Sequence, residues 1–126
     1  MQVLLVEDDE LICARLQTLL APAQFDVQAV ASARDAREMT RAVVFPIVII
    51  DRMLGDSDGI SLIGELRRSY EQHRVFLMLF SSLDSESDRR AGMAAGADDY
   101  VSKRATDDEL LARLAAARAV VKLRSK

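Results

Sequence analysis

Four groups of side chains in this sequence have the types and spacing for phosphoryl chemistry. They are the acidic run Glu7, Asp8 and Asp9, then Asp51, then the hydroxyls Ser81 and Ser82, then Lys103. Carboxylates gathered in one place repel each other unless something compensates them. A hard divalent cation is the natural compensation, and Mg²⁺ takes one or two carboxylates together with water and phosphate oxygens. Lys103 adds a compact positive charge suited to a phosphate oxygen or a carboxylate. Ser81 brings a hydroxyl able to donate to a phosphoryl oxygen. Together these groups point to phosphoryl transfer, where catalysis is mostly positioning and neutralisation of charge.

Such groups work together only if the elements between them bring them to one place. Short apolar runs at 3–6, 25–30, 47–50, 75–80 and 100–101 read as strands, the third with no polar face, as a central parallel strand requires. Amphipathic stretches at 10–20, 33–42, 60–70, 86–96 and from 107 toward 123 read as helices. Asp9 and Ser32 are N-cap candidates, Pro22 stops the first helix, Gly96 is a C-cap candidate, and Thr106 with Glu109 has the spacing of a capping box. Strands alternating with helices imply one α/β domain over 1–126, with five parallel strands and helices on both faces. Ligands in such folds bind beyond the carboxyl ends of the strands, where all four chemical groups fall.

The 126 residues are enough for one self-sufficient core. A single cysteine excludes an internal disulfide, and with a single histidine it excludes a zinc site. Cys13, in an apolar helical setting, reads as a buried inert thiol. The net charge is −3 without a long basic run, so nucleic-acid binding by this chain is not expected, and the pairs Arg67–Arg68 and Arg89–Arg90 read as solvated helix faces. The opening segment has neither the basic lead nor the apolar length of a signal peptide, no run is long enough to span a membrane, and a cytoplasmic location is the expectation.

The motifs LLVEDDE at 4–10, VIIDRMLGDSDG at 48–59, FSS at 80–82 and GADDYVSK at 96–103 resemble, in order, those of the receiver domain of two-component response regulators. Asp51 follows Asp8 by 43 residues, and Ser81 and Lys103 follow Asp51 by 30 and 52, separations that fit the family's register. The resemblance covers nearly the whole chain and implies a doubly wound, flavodoxin-like fold. It implies that Asp51 accepts a phosphoryl group from a histidine kinase or phosphotransfer protein. Mg²⁺ would be held by Glu7, Asp8, Asp51 and the Met53 backbone carbonyl. Ser81 and Lys103 would act on the phosphoryl group, and Ser81 with Tyr100 would form the switch. The same resemblance implies an interaction surface, and a homodimer face, on the fourth helix, fifth strand and last helix. The resemblance also implies a phosphoacceptor that assists its own phosphotransfer and dephosphorylation rather than an enzyme. The stretch at about 118–126 stays helix-compatible with no stop signal, and reads as a connector to an output domain or as part of a dimer face.

The sequence departs from the family pattern at Gly55 and Arg104, which stand where Pro is usual, and at Ala105, which replaces a larger Phe. The last change is expected to leave the start of the final helix less anchored. Met53 and Leu83 occupy positions that in the family influence hydrolysis, and neither can orient a water, so a long-lived phosphoryl state is expected. The alternative is a pseudo-receiver, the same fold acting as an interaction module independent of phosphorylation. An aspartate-nucleophile phosphatase would need a second Asp where Met53 stands, and a nucleotide-binding protein would need a Gly-rich loop after the first strand. Asp9, Asp56 and Asp58 read as caps and turn residues, Ser82 competes with Ser81 as the working hydroxyl, Tyr100 has an ordinary half-buried strand role as its alternative, and His73 reads as exposed and uninvolved.

Overall fold

The computed structural model describes residues 1–69 and 74–125. Its five strands are β1 (Gln2–Val6), β2 (Asp26–Val30), β3 (Ile47–Asp51), β4 (Phe76–Ser81) and β5 (Asp99–Ser102). The helices are α1 (Glu10–Leu20), α2 (Ala33–Ala42), α3 (Gly59–Ser69), α4 (Glu86–Ala95) and α5 (Asp107–Arg124), with a 3₁₀ turn at Ala21–Ala23. The strands form one sheet in the order β2-β1-β3-β4-β5, all pairs parallel. This is the doubly wound α/β fold expected from the alternation of apolar runs and amphipathic stretches.

Alternation along each strand builds the two sides of the core. Val3, Leu5, Ile47, Ile49, Phe76, Met78 and Phe80 face one layer, where α1 contributes Leu16 and Leu20 and α5 contributes Leu110, Leu114, Ala117 and Val121. Leu4, Val6, Val48, Ile50, Leu77 and Leu79 face the other, with Ala33 and Ala36 of α2 and Leu62, Ile63 and Leu66 of α3. A fully buried Leu or Ile contributes about 1.5–3 kcal/mol, so these two layers hold the sheet and hence the ends of its strands.

Several boundaries differ from expectation for local reasons. Phe25 is buried but precedes β2, because its amide closes the turn onto the Leu20 carbonyl. The pairing of β3 with β4 continues to Asp51, and that of β4 with β5 to Ser81. Both residues are therefore the last of their strands, not the first of flexible loops. Thr106 caps α5 by accepting from the Glu109 amide at 3.2 Å, but the Glu109 carboxylate lies 3.7 Å from Arg113 and does not close the box. The reciprocal capping box forms instead at Ser85 and Asp88, at the head of α4. His73 and the expected last residue of α3, Tyr70, lie outside the described residues.

Cys13 is half-buried, not buried, and its Sγ donates to the Glu7 carbonyl at 3.5 Å. Burial and the carboxylates of Glu7, Asp9 and Asp8 push its pKa up, which keeps the thiol protonated and unreactive. The arginine pairs divide in two. Arg68 and Arg90 are exposed, whereas Arg67 bonds Asp98 at 2.7 Å and Arg89 donates to the Tyr100 carbonyl at 3.0 Å. No helix among the described residues is long and apolar enough to cross a membrane.

Candidate functional site

Strand order reverses between β1 and β3, and a crevice opens beyond the carboxyl ends of the strands at such a point. β1 delivers Glu7 there and β3 delivers Asp51, while β4 ends in Ser81 and β5 leads into Lys103. Carboxylate oxygens of Glu7, Asp8 and Asp51 all lie within 4.8 Å of one another. Glu7 and Asp51 are nearly enclosed, at 2% and 5% exposure, whereas Asp8 is open to solvent. Two buried carboxylates and one at the rim form a half-shielded donor set of hard oxygens, which suits Mg²⁺ with water and a phosphate oxygen completing its shell.

Lys103 is the local counter-charge. Its Nζ lies 2.6 Å from Glu7 Oε1 and 3.2 Å from Asp51 Oδ2. Burial alone would lower the pKa of this amine, but the hydrogen bond to Glu7 and the charge of Asp51 outweigh it and the net direction is upward. Glu7 is pushed up to about 7, first by burial and further by Asp51, with Lys103 opposing. The Glu7 Oε2 also accepts from the Asp8 amide at 3.1 Å. One ammonium among three carboxylates leaves the cluster short of positive charge, which favours a cation.

The loop after Asp51 is held by the acceptor candidate itself: the Met53 amide donates to Asp51 Oδ1 at 3.0 Å, and Met53 forms an isolated bridge with Asp58. Behind this loop the start of α3 comes very close. A Cβ at Gly59 would sit 2.4 Å from the Asp51 carbonyl oxygen, so only glycine lets the helix approach. Asp58 caps α3 through the Ile60 amide, and Asp56 accepts from the Ala33 and Arg34 amides at the head of α2. Asp9 caps α1 through the Leu11 and Ile12 amides. All three therefore serve as caps.

Ser81 is fully buried and its Oγ accepts from the Leu83 amide at 3.1 Å, whereas Ser82 is exposed. The Tyr100 ring is buried, and its hydroxyl donates to the Leu83 carbonyl. Leu83 thus joins both switch candidates through its backbone. The Lys103 amide donates to the Ser81 carbonyl at 2.9 Å, which ties the amine-bearing loop to β4.

Sequence reasoning missed several arginines. Arg52, the residue after Asp51, reaches Asp88 of α4 at 3.1 Å. Arg15 of α1 donates to the Ala105 carbonyl at 3.1 Å and to Asp107 at 2.8 Å, so an ion pair anchors the start of α5, against the expectation that the small Ala105 leaves it less anchored. Arg104 pairs with Asp84 at 2.7 Å. The partners are 36, 92 and 20 residues away in sequence, beyond the reach of any local pattern.

The response regulator receiver domain family matches residues 3–115. The transcriptional regulatory protein GltR of Pseudomonas aeruginosa is 36% identical over 114 residues, covering 90% of this chain and 47% of that protein. The chain spans about half the length of the curated relatives it matches. The receiver domain of the Francisella response regulator 1452 superposes with a TM-score of 0.86 at 28% identity, covering 99% of this chain and 98% of that one. The BeF3-activated N-terminal receiver domain of Klebsiella pneumoniae RstA gives 0.83 at 29% identity, covering 90% and 95%. The match over nearly the full length, on a fold whose strand ends gather the acidic cluster and Lys103, places the chain in the response regulator receiver domain family of two-component signalling.

Proposed function

We propose that Asp51 is a phosphoacceptor whose modification switches an interaction surface of this receiver domain. The observation that carries this reading is the near-enclosed Asp51 carboxylate, with one oxygen on the Met53 amide and the other 3.2 Å from Lys103. A carboxylate oxygen attacks phosphorus, the new O–P bond forms as the bond to the donor breaks, and the electron pair leaves with the donor. Lys103 pairs with charge gathering on the phosphoryl oxygens. Ser81 Oγ receives the Leu83 amide and keeps its own hydrogen to donate. Glu7, Asp8, Asp51 and the Met53 carbonyl would hold Mg²⁺, which neutralises phosphoryl charge when bound.

The donor in this reading is a histidine kinase or a phosphotransfer protein. The chain accepts a group rather than turning over a substrate, so it is not an enzyme in the ordinary sense. The relatives are named transcriptional regulatory proteins and extend well beyond the length of this chain, so an output domain after α5 and a cytoplasmic setting belong to the proposal. A homodimer through α4, β5 and α5 belongs to it too. Phosphorylation adds roughly −1.5 to −2 charges beside Ser81 and Lys103, enough to shift an equilibrium between two arrangements of the switch.

The test is intact mass after incubation with Mg²⁺ and acetyl phosphate, beside Asp51→Asn. One added phosphoryl group that requires Mg²⁺ and is absent from the variant is the expected result, and slow loss after the donor is removed fits Met53 and Leu83. No addition to a folded protein that binds Mg²⁺ would sink the reading in favour of a pseudo-receiver.

A further inference from the structure

Two neighbouring strand ends supply the hydroxyl and the amine beside Asp51. The loop after β4 follows Ser81, and the loop after β5 carries Lys103. Lys103 Nζ is held by Glu7 and Asp51, and the separation of these loops bears on how it stands to Ser81 Oγ. Two backbone-level ties are already described, the Lys103 amide on the Ser81 carbonyl and the Tyr100 hydroxyl on the Leu83 carbonyl. A third lies one residue further out on each side. Arg104 Nη2 is 2.7 Å from both oxygens of Asp84, and its Nε is 3.2 Å from Oδ2. Ser102 Oγ donates to the same Oδ2 at 2.7 Å and accepts from the Arg104 amide at 3.1 Å.

The arrangement is more than a surface ion pair. Arg104 is 77% exposed, but Asp84 is only 21% exposed and is held by three donor atoms from the neighbouring loop. A forked guanidinium on a carboxylate fixes direction as well as distance, which a single ammonium does not. Hydrogen bonds from Arg104 and Ser102 lower the Asp84 pKa, so the carboxylate stays charged across the neutral range. Asp84 adjoins Leu83, whose amide meets Ser81 Oγ, and Arg104 adjoins Lys103. The clasp therefore sits one residue from Lys103 and one residue from Leu83, whose amide holds Ser81 Oγ.

We propose that Asp84 and Arg104, bridged by Ser102, form a positioning clasp that sets Lys103 and Ser81 for phosphoryl gain at Asp51. This rests on the phosphoacceptor reading above. Arg104 and Asp84 are positioning residues, since neither contacts the Glu7, Asp8 and Asp51 cluster. Phosphoryl gain should then depend on the pair, while Mg²⁺ binding by the carboxylates should not.

The experiment measures the rate of phosphoryl gain from acetyl phosphate with Mg²⁺, and Mg²⁺ affinity by calorimetry. The proteins are wild type, Arg104→Ala, Asp84→Asn and the charge swap Asp84→Arg with Arg104→Asp. Each single variant should slow gain by about two- to fivefold, the upper scale of a well-oriented exposed pair. Mg²⁺ affinity should be unchanged, and the swap should restore most of the rate. Single variants that match wild type, or a swap that stays as slow as they are, overturn the clasp. A wild type that takes no phosphoryl group at all overturns the phosphoacceptor reading, and the clasp with it. That failure differs visibly from a wild type and variants that all gain it equally fast.

Discussion

Glu7 has one oxygen on the Lys103 amine, two carboxylates beside it and almost no contact with solvent. Burial dominates, and its pKa rises from 4.5 to about 7. Between those values the folded protein keeps a proton that the unfolded chain has already released. Unfolding then releases a proton, so stability falls as pH rises through that window. The shift corresponds to about 3 kcal/mol, fully lost above the folded value. In chelator, urea denaturation should show wild type losing stability from pH 5 to pH 8, while Glu7→Gln, which imitates the protonated form, should be nearly flat. An equal slope in both proteins would place the titrating group elsewhere. Saturating Mg²⁺ should reverse the loss in wild type, because a cation binds the ionised form.

At the level of elements, the seat of the Tyr100 ring depends on α4. A Cβ at Gly92 would lie 2.6 Å from Leu79 Cδ1 and 2.7 Å from Tyr100 Cδ2, so the helix packs on β4 and β5 only because that side chain is missing. Gly92→Ala should cost about 1–3 kcal/mol through overpacking and turn the ring outward. Acrylamide quenching of tyrosine fluorescence in a Tyr70→Phe background should rise, and unchanged quenching with unchanged stability would refute this. The same scale shows what the sequence makes legible. Buried runs such as 47–50, and caps such as Asp9 and Ser32, declare themselves because their causes are local. The order of acidic, hydroxyl and lysine residues indicates the site because each ends a strand. Arg52, Arg67 and Arg104 look like ordinary charges, since each is defined by a partner brought close only by the fold. Gly92 is silent for the same reason: its importance lies in the ring that the next strand lays against it.

Over the whole molecule, the face opposite the site has its own charged centre, with the opposite response to pH. Asp98 bonds Arg67 of α3 at 2.7 Å, Arg124 of α5 at 2.8 Å and the Leu77 amide of β4 at 2.9 Å. It therefore fastens the far end of α5, where Val121 is buried and Leu123 is exposed, to the body of the domain. Burial alone would raise the Asp98 pKa, but Arg124, the Leu77 amide and Arg67 outweigh it and hold it below 3.8. Its contribution is complete above that ordinary value and is lost as pH falls through the lower folded one. Asp98→Asn should cost about 2–4 kcal/mol, because it leaves two half-buried guanidinium groups without their carboxylate, and it should make the acid limb shallower. Arg124→Ala should cost less, since Arg67 remains on Asp98. Combined with Glu7, the opposing slopes place the stability maximum of the metal-free protein on the acid side of neutral. Saturating Mg²⁺ removes the Glu7 limb and should move that maximum toward neutral pH. A maximum already near neutral in chelator would mean that ionising Glu7 costs the folded protein little, and that Lys103 compensates it more fully than burial opposes it.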